Sequence, residues 1–291
     1  MAGARGLATG LEYDPGIYSS REEVIALATE AASLGGRYIS HVRSEDRWFW
    51  EAIDEIIEIG RQTEMPVQIS HIKLALISNH GEADRLVAIL DEARASGIDI
   101  TADIYPYPYW ESTLTVMFPD RDFENRETAE FALSQITTPE GAHLGAYKPN
   151  PEYVGKTLRE ISDMRSTDPA TTLMDLIREA LAYEKKTGET DVESVIATSM
   201  GEADIERLMN WPHTNLCTDG SLVASHPRGF GSYPRFLGRY VRERQIMDLA
   251  TAIHKSSGLA AAHMGFYDRG VIRPGMKADL VLFDPDRKSV V

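Results

Sequence analysis

The sequence predicts an α/β fold assembled from parallel βα units, and three observations carry that reading. Short β-prone apolar runs alternate with amphipathic helical stretches through roughly the first two hundred of its 291 residues. The spacing is close to thirty residues per strand–helix unit, which suits parallel strands joined by helical crossovers. One four-residue pattern, Ser-His-apolar-cation, also recurs one unit apart. A closed (β/α)8 barrel is one solution and an open doubly wound sheet is the other.

The elements follow in order. Ser20-Arg21-Glu22-Glu23 reads as a capping box, with Ser20 placed to accept a backbone N–H. Val24, Ile25, Leu27, Ala28, Ala31 and Leu34 continue at helical spacing, and Gly35-Gly36 supplies a left-handed stop. Arg37 to Val42 is short and β-prone. Asp46 can cap a second helix through Trp48, Ala52, Ile53, Ile56 and Ile57, ending at Gly60. Pro66 to Ile72 is a third strand-like run; a helix from about Glu82 to Ala95 stops at Gly97, and Ile98 to Tyr105 is the next strand.

The beat then breaks. Residues 114–190 are polar and mostly helical in pattern, punctuated by prolines, and an insertion this long reads as a lid or substrate-binding subdomain. The expected division is 1–113 for the first part of the α/β body, 114–190 for the insert, 191–265 for the last part of the body and 266–291 for part of a small β-domain. Within these, Val192–Thr198 and Asn215–Gly220 read as strands, about Pro234–Lys255 as helical, and Val271–Phe283 as a turn and a strand.

Composition narrows the function. The chain is 43% hydrophobic and 26% charged, which is ordinary for a globular protein. Its 45 acidic against 30 basic residues give a net charge of −15, a balance that argues against nucleic acid and anionic membrane as partners. No run of ~18 apolar residues is present to span a bilayer. The first residues do not read as a signal peptide. The single Cys217 fits a reducing, cytoplasmic compartment and by itself reads as a small buried hydrophobe.

The chemistry centres on the repeat. Ser40-His41-Val42-Arg43 and Ser70-His71-Ile72-Lys73 place two histidines 30 residues apart, each at the C-terminal end of a strand-like run. Parallel strands lie ~4.8 Å apart, so equivalent strand ends open into one mouth, where two imidazoles could share a metal. Alone, either histidine reads as a hydrogen-bonded rim residue. Asp219 ends another short strand, and Gly220 after it lets the chain turn. A carboxylate there could ligate a metal or carry a proton; its plainer reading is a turn aspartate. Lys73 and Arg43 follow their histidines by two residues. Tyr105, Ser112 and Arg228 lie near the same strand ends, and Arg228 could grip a carboxylate through paired hydrogen bonds.

At these residues the sequence resembles the N-acyl-D-amino-acid deacylase (D-aminoacylase) family of the amidohydrolase superfamily. The resemblance runs in order through Gly6–Gly16, Ser40–Arg43, Ser70–Lys73, Asp103–Tyr107, Thr218–Gly220, His226–Arg228, Gly231–Gly238 and Arg273–Asp284, nearly the whole chain. It implies a partial TIM-type (β/α)8 metal-dependent hydrolase barrel, about strands 4 to 8, with a helical insertion and part of a small β-domain. It implies hydrolysis of N-acyl-D-amino acids to a D-amino acid and a carboxylate. Carried over by position, His41 and His71 would bind zinc (one or two ions), and Asp219 would act as general base and then acid. Tyr13, Lys73, Tyr105, Ser112 and Arg228 would hold the substrate. The family's early His-x-His or His-x-Asp pair and its cysteine ligand have no counterpart here, and Cys217 lies elsewhere in the pattern. The resemblance therefore implies a chain starting near the fourth strand, with an incomplete zinc site and an open barrel edge through which it self-associates. Two other readings stand beside it: another amidohydrolase reaction such as cyclic amide opening, and a non-catalytic remnant that binds a small ligand or a partner chain.

Overall fold

The computed structural model describes residues 3–198, 200–221 and 225–286. A five-stranded, all-parallel sheet organises it, from β1 (Gly6–Gly10), β2 (Arg37–His41), β3 (Val67–Ile69), β4 (Ile100–Ile104) and β8 (Thr214–Leu216), in the order β1-β2-β3-β4-β8. Gly10 pairs with His41 and Ser40 with Ile69, so neighbouring strands finish at nearly the same level. All five residues of β4 are buried, as expected of a strand covered on both faces. Among the described residues β1 and β8 are not paired with each other, so this is a partial barrel.

The helices of the first units form for the reasons read from sequence, with one revision. Helix α1 (Arg21–Ser33) starts where the Ser20 side chain accepts from the Glu23 backbone and ends before Gly35, at φ +70°. Helix α2 (Phe49–Thr63) buries a stripe of Phe49, Ala52, Ile53, Ile56 and Ile59. It is not capped by the Asp46 side chain, and it does not stop at Gly60. Ser44 Oγ accepts from the Trp48 backbone at its start, and Glu64, in the left-handed region at φ 53°, ends it. Gly60 sits within the helix because a Cβ there would lie 2.7 Å from Ile98 and 3.1 Å from Val67. It is a contact glycine that lets helix and sheet approach closely. Helix α3 (Ala83–Ala95) then precedes Gly97, at φ +92°.

A second sheet, one strand of which lies within 114–190 and two just outside it, is not advertised by that polar, proline-punctuated sequence. Strands β5 (Tyr109–Ser112) and β6 (Ala142–Tyr147) flank β7 (Glu193–Thr198) in an antiparallel trio, packed with helices α4 (Arg126–Phe131), α5 (Leu158–Arg165) and α6 (Pro169–Thr187). The strand expected at Val192–Thr198 therefore forms, but it is the centre of this antiparallel sheet rather than a stave of the barrel. Its buried residues alternate (Glu193, Val195, Ala197), the signature of a half-buried antiparallel strand.

Glu193 gives this subdomain a pH signature. Burial pushes its carboxyl up to about 7, although both oxygens accept from the Leu114 backbone at 3.0 Å. Between the ordinary glutamate value of 4.5 and about 7, the unfolded chain has lost this proton and the folded chain keeps it. Stability therefore falls as pH rises through that window, by up to ~1.4 kcal/mol per pH unit. Glu193→Gln is expected to flatten that slope, measured as urea midpoints at pH 5 and pH 7. An unchanged slope would assign it to other groups.

After helix α7 (Glu202–Met209) and β8, the remaining regular elements among the described residues are helices. Helix α8 (Arg228–Arg235) runs into a π-helical stretch, Phe236–Glu243, followed by α9 (Leu249–Ser256) and α10 (Gly258–His263). The strand expected within Val271–Phe283 is not formed in the described residues. Leu280, Val281 and Leu282 are exposed, with no neighbouring strand to accept their backbone pairing. Apolar alternation makes a strand only where a partner edge exists.

Candidate metal and active site

The C-terminal ends of the parallel strands, with the insert as one wall, enclose a cleft of ≈ 210 Å³. Tyr13 follows β1, His41 ends β2, His71 and Lys73 follow β3, and Asp219 follows β8. All five line the cleft with Ser112, Glu111, Trp110 and Arg228. Val116, Met117 and Ile136 of the insert make its apolar side.

The two histidines converge. His41 Nδ1 lies 3.0 Å from His71 Nε2, a separation that one ion bound at ~2.0–2.1 Å can bridge. His71 is held with φ at 38°, and its backbone N–H donates to Asp103 Oδ1 at 2.6 Å. Asp103 in turn accepts from Gln68 Nε2, so β3 and β4 together fix the ring's base. Lys73 Nζ lies 2.5 Å from Glu45 Oε1 and 2.6 Å from His71 Nδ1. Glu45 Oε1 is 3.0 Å from that same ring nitrogen. Glu12 Oε2 lies 2.8 Å from His41 Nε2 on the far side of the pair.

Charge in this buried cluster is balanced by neighbours. Burial works against an ionised Glu45, but Lys73, His41 and His71 outweigh it and hold the carboxyl well below the usual range. Burial and then Lys73 press His71 downward, favouring the neutral ring that a metal needs. For His41, burial is outweighed by Glu45 and Glu12, and its shift is upward. Glu12 itself is raised, chiefly by burial.

Asp219 adopts φ 46°, and its Oδ2 pairs with Arg228 Nη1 at 2.7 Å. Gly220 is needed here, because a Cβ at that position would lie 2.3 Å from the Gly229 Cα. The Asp219 turn and the start of α8 thus touch backbone to backbone. Arg228 also donates through Nη2 to the Glu111 carbonyl at 3.2 Å, while its buried Nε has no partner. Tyr13 and Ser112 meet through their hydroxyls at 3.1 Å.

Most of the residues singled out from sequence are therefore brought together: His41, His71, Asp219, Tyr13, Lys73, Ser112 and Arg228. Tyr105 is not on the wall. It is 2% exposed and lies behind, with Arg228 4.8 Å above its ring. The two cations of the repeat are used differently: Lys73 joins the cluster, whereas Arg43 turns away to grip both oxygens of Glu55 at 2.8 Å. Sequence reading missed Glu12, Glu45, Glu111 and Trp110. The spacing of Glu45, four residues after His41, was the available hint.

The donor set suits a divalent cation. His41, His71 and Glu45 form a candidate metal-holding group whose ligand atoms lie within 4.8 Å of one another. Two neutral-capable imidazoles with carboxylates nearby are the chemistry of zinc sites.

No family model matches the chain. Among curated proteins it is 33% identical over 287 residues to N-acyl-D-glutamate deacylase and 30% identical over 286 residues to D-aminoacylase, both of Alcaligenes xylosoxydans xylosoxydans. Each match covers 98% of this chain and 52% of the relative. Among solved structures, the N-acyl-D-glutamate deacylase of Bordetella bronchiseptica aligns with a TM-score of 0.83 at 33% identity, over 98% of this chain and 54% of that one. A D-aminoacylase crystal structure aligns at 0.81 and 31% identity, over 97% and 53%. The chain spans about half the length of the curated relatives it matches. Along the half it spans, the chain is similar in sequence and fold to N-acyl-D-glutamate deacylase and D-aminoacylase, the latter described as defining a novel subset of amidohydrolases.

Proposed function

We propose that this chain carries the strand-end face of a zinc-dependent amide hydrolase that converts N-acyl-D-amino acids and water to a D-amino acid and a carboxylate. The observation that carries it is the convergence of His41 Nδ1 and His71 Nε2 in the cleft that also holds Asp219 and Arg228. Relatives support the reading. The Bordetella bronchiseptica deacylase was solved with zinc and a phosphonate mimic of the tetrahedral intermediate, and D-aminoacylase is described with a binuclear metal centre.

In this reading His41 and His71 hold the zinc, one ion or two, with Glu45 within reach. Bound zinc would supply an activated water and polarise the scissile carbonyl. Asp219 takes a proton from the attacking water and returns it to the leaving nitrogen, which departs as an amine. The unpartnered Nε–H of Arg228 is a donor for the substrate's α-carboxylate, supported by Lys73, Tyr13 and Ser112, with Tyr105 bracing Arg228 from behind. A carboxylate-gripping arginine favours a linear acyl amino acid over a cyclic amide.

The test is a zinc titration followed by release of free amine from N-acetyl-D-methionine, its L-enantiomer and a hydantoin. Zinc binding with preference for the D-enantiomer is expected. Absence of zinc binding would leave the remnant reading, and preferential hydantoin opening would leave the cyclic amidase.

The same reading places the protein in the cytoplasm, supported by a lone cysteine without a disulfide partner. No helix among the described residues is long and apolar enough to cross a membrane. Self-association through the free edge of β1 is supported by that unpaired edge and by the exposed Ile272, Val281 and Leu282. A purely monomeric sedimentation profile across concentration would refute it.

A further inference from the structure

We propose that Glu12, a residue given no role above, is the positioning residue that decides which nitrogen of His41 faces His71; the inference deepens the zinc site already proposed. Glu12 leaves the end of β1 and is buried. Its main chain is anchored, since Arg121 Nη2 donates to its carbonyl at 2.8 Å. Its side chain is anchored twice. Oε1 accepts the Glu45 backbone N–H at 3.0 Å, and Oε2 lies 2.8 Å from His41 Nε2.

When Glu12 is ionised its carboxylate only accepts hydrogen bonds, and Nε2 of His41 is then the donor. A neutral imidazole carries a single N–H, so Nδ1 is left as a lone pair. That lone pair is on the nitrogen that lies 3.0 Å from His71 Nε2, where the two rings together would hold a cation. Glu12 thereby fixes both the tautomer and the ring orientation of His41, the task of an outer carboxylate behind a metal-binding histidine.

The two-donor arrangement makes the isosteric variant diagnostic. In Glu12→Gln, one terminal atom is an oxygen and the other an amide NH2. If the oxygen takes the Glu45 N–H, the NH2 donates to His41 Nε2 and drives the ring proton onto Nδ1, into the metal position. If the oxygen faces His41 instead, the NH2 meets the Glu45 N–H head-on. Neither amide orientation serves both partners, although shape and volume are kept. A role limited to filling space would survive this change.

The experiment uses the full chain, with Glu12→Gln and Glu12→Ala beside the parent. Zinc affinity is measured by chelator competition, and the His41 tautomer by imidazole ¹⁵N NMR on metal-free protein, at a pH where the ring is neutral. Glu12→Gln is expected to lose about 10- to 100-fold in zinc affinity. The His41 proton is expected on Nε2 in the parent and on Nδ1 in Glu12→Gln. Glu12→Ala, which frees the ring to take either tautomer, is expected to lose zinc affinity as well while melting cooperatively. Parent-like zinc affinity in Glu12→Gln, or a proton that stays on Nε2, overturns the proposal. A parent chain that binds no zinc counts against the zinc site alone, because the tautomer comparison in metal-free protein still decides the role of Glu12.

Discussion

Replacing His41 and His71 together by alanine is expected to lower zinc affinity by more than 100-fold, read by chelator competition or calorimetry. The reason is geometric. The two ring nitrogens stand 3.0 Å apart, and the neighbouring Lys73 is ion-paired to Glu45 and carries no lone pair while protonated. Losing a group that merely orients a ligand typically costs 10- to 100-fold, and losing the ligands themselves must exceed that. Each single variant is expected to fall between parent and double variant. Unchanged affinity in the double variant would place zinc elsewhere and remove the basis of the functional reading.

Asp219→Asn is expected to lower the turnover of N-acetyl-D-methionine by 10²- to 10⁴-fold, the usual contribution of a positioned acid or base. Zinc affinity should change far less, because the imidazole pair is untouched. The asparagine also breaks the 2.7 Å pair with Arg228, so some rise in KM should accompany the fall in kcat. Arg228→Ala separates the two effects, since it should act mainly on substrate binding. A loss in Asp219→Asn confined to KM would make the aspartate an anchor for Arg228 and not a proton carrier.

What the sequence made legible was what repeats or caps. The βα beat, Ser20, Gly35 and Gly97 are local signals, and each forms as local chemistry dictates. The histidine pair was readable because one motif recurs at one unit of spacing. What stayed hidden depends on contacts distant in sequence. Gly60 reads as a helix stop until Ile98 and Val67 press against it. The strand at Glu193–Thr198 looks like a barrel stave until its partners are known. Arg43 and Lys73 are equivalent in pattern, yet Glu55 on α2 claims the first and Glu45 the second. Glu12 lay beside a singled-out tyrosine, but a glutamate in a loop carries no signal without its neighbours.

Glu111 has a consequence that reaches beyond the cleft wall. Its side chain accepts from the Ser194 hydroxyl and from the Ser225 and His226 backbones, while its carbonyl receives Arg228. One residue of β5 therefore stitches the centre of the antiparallel sheet to the turn that presents the guanidinium. Those parts should yield or stiffen as a single mechanical body. A carboxylate drawn to Arg228 should slow amide-hydrogen exchange across Glu193–Thr198.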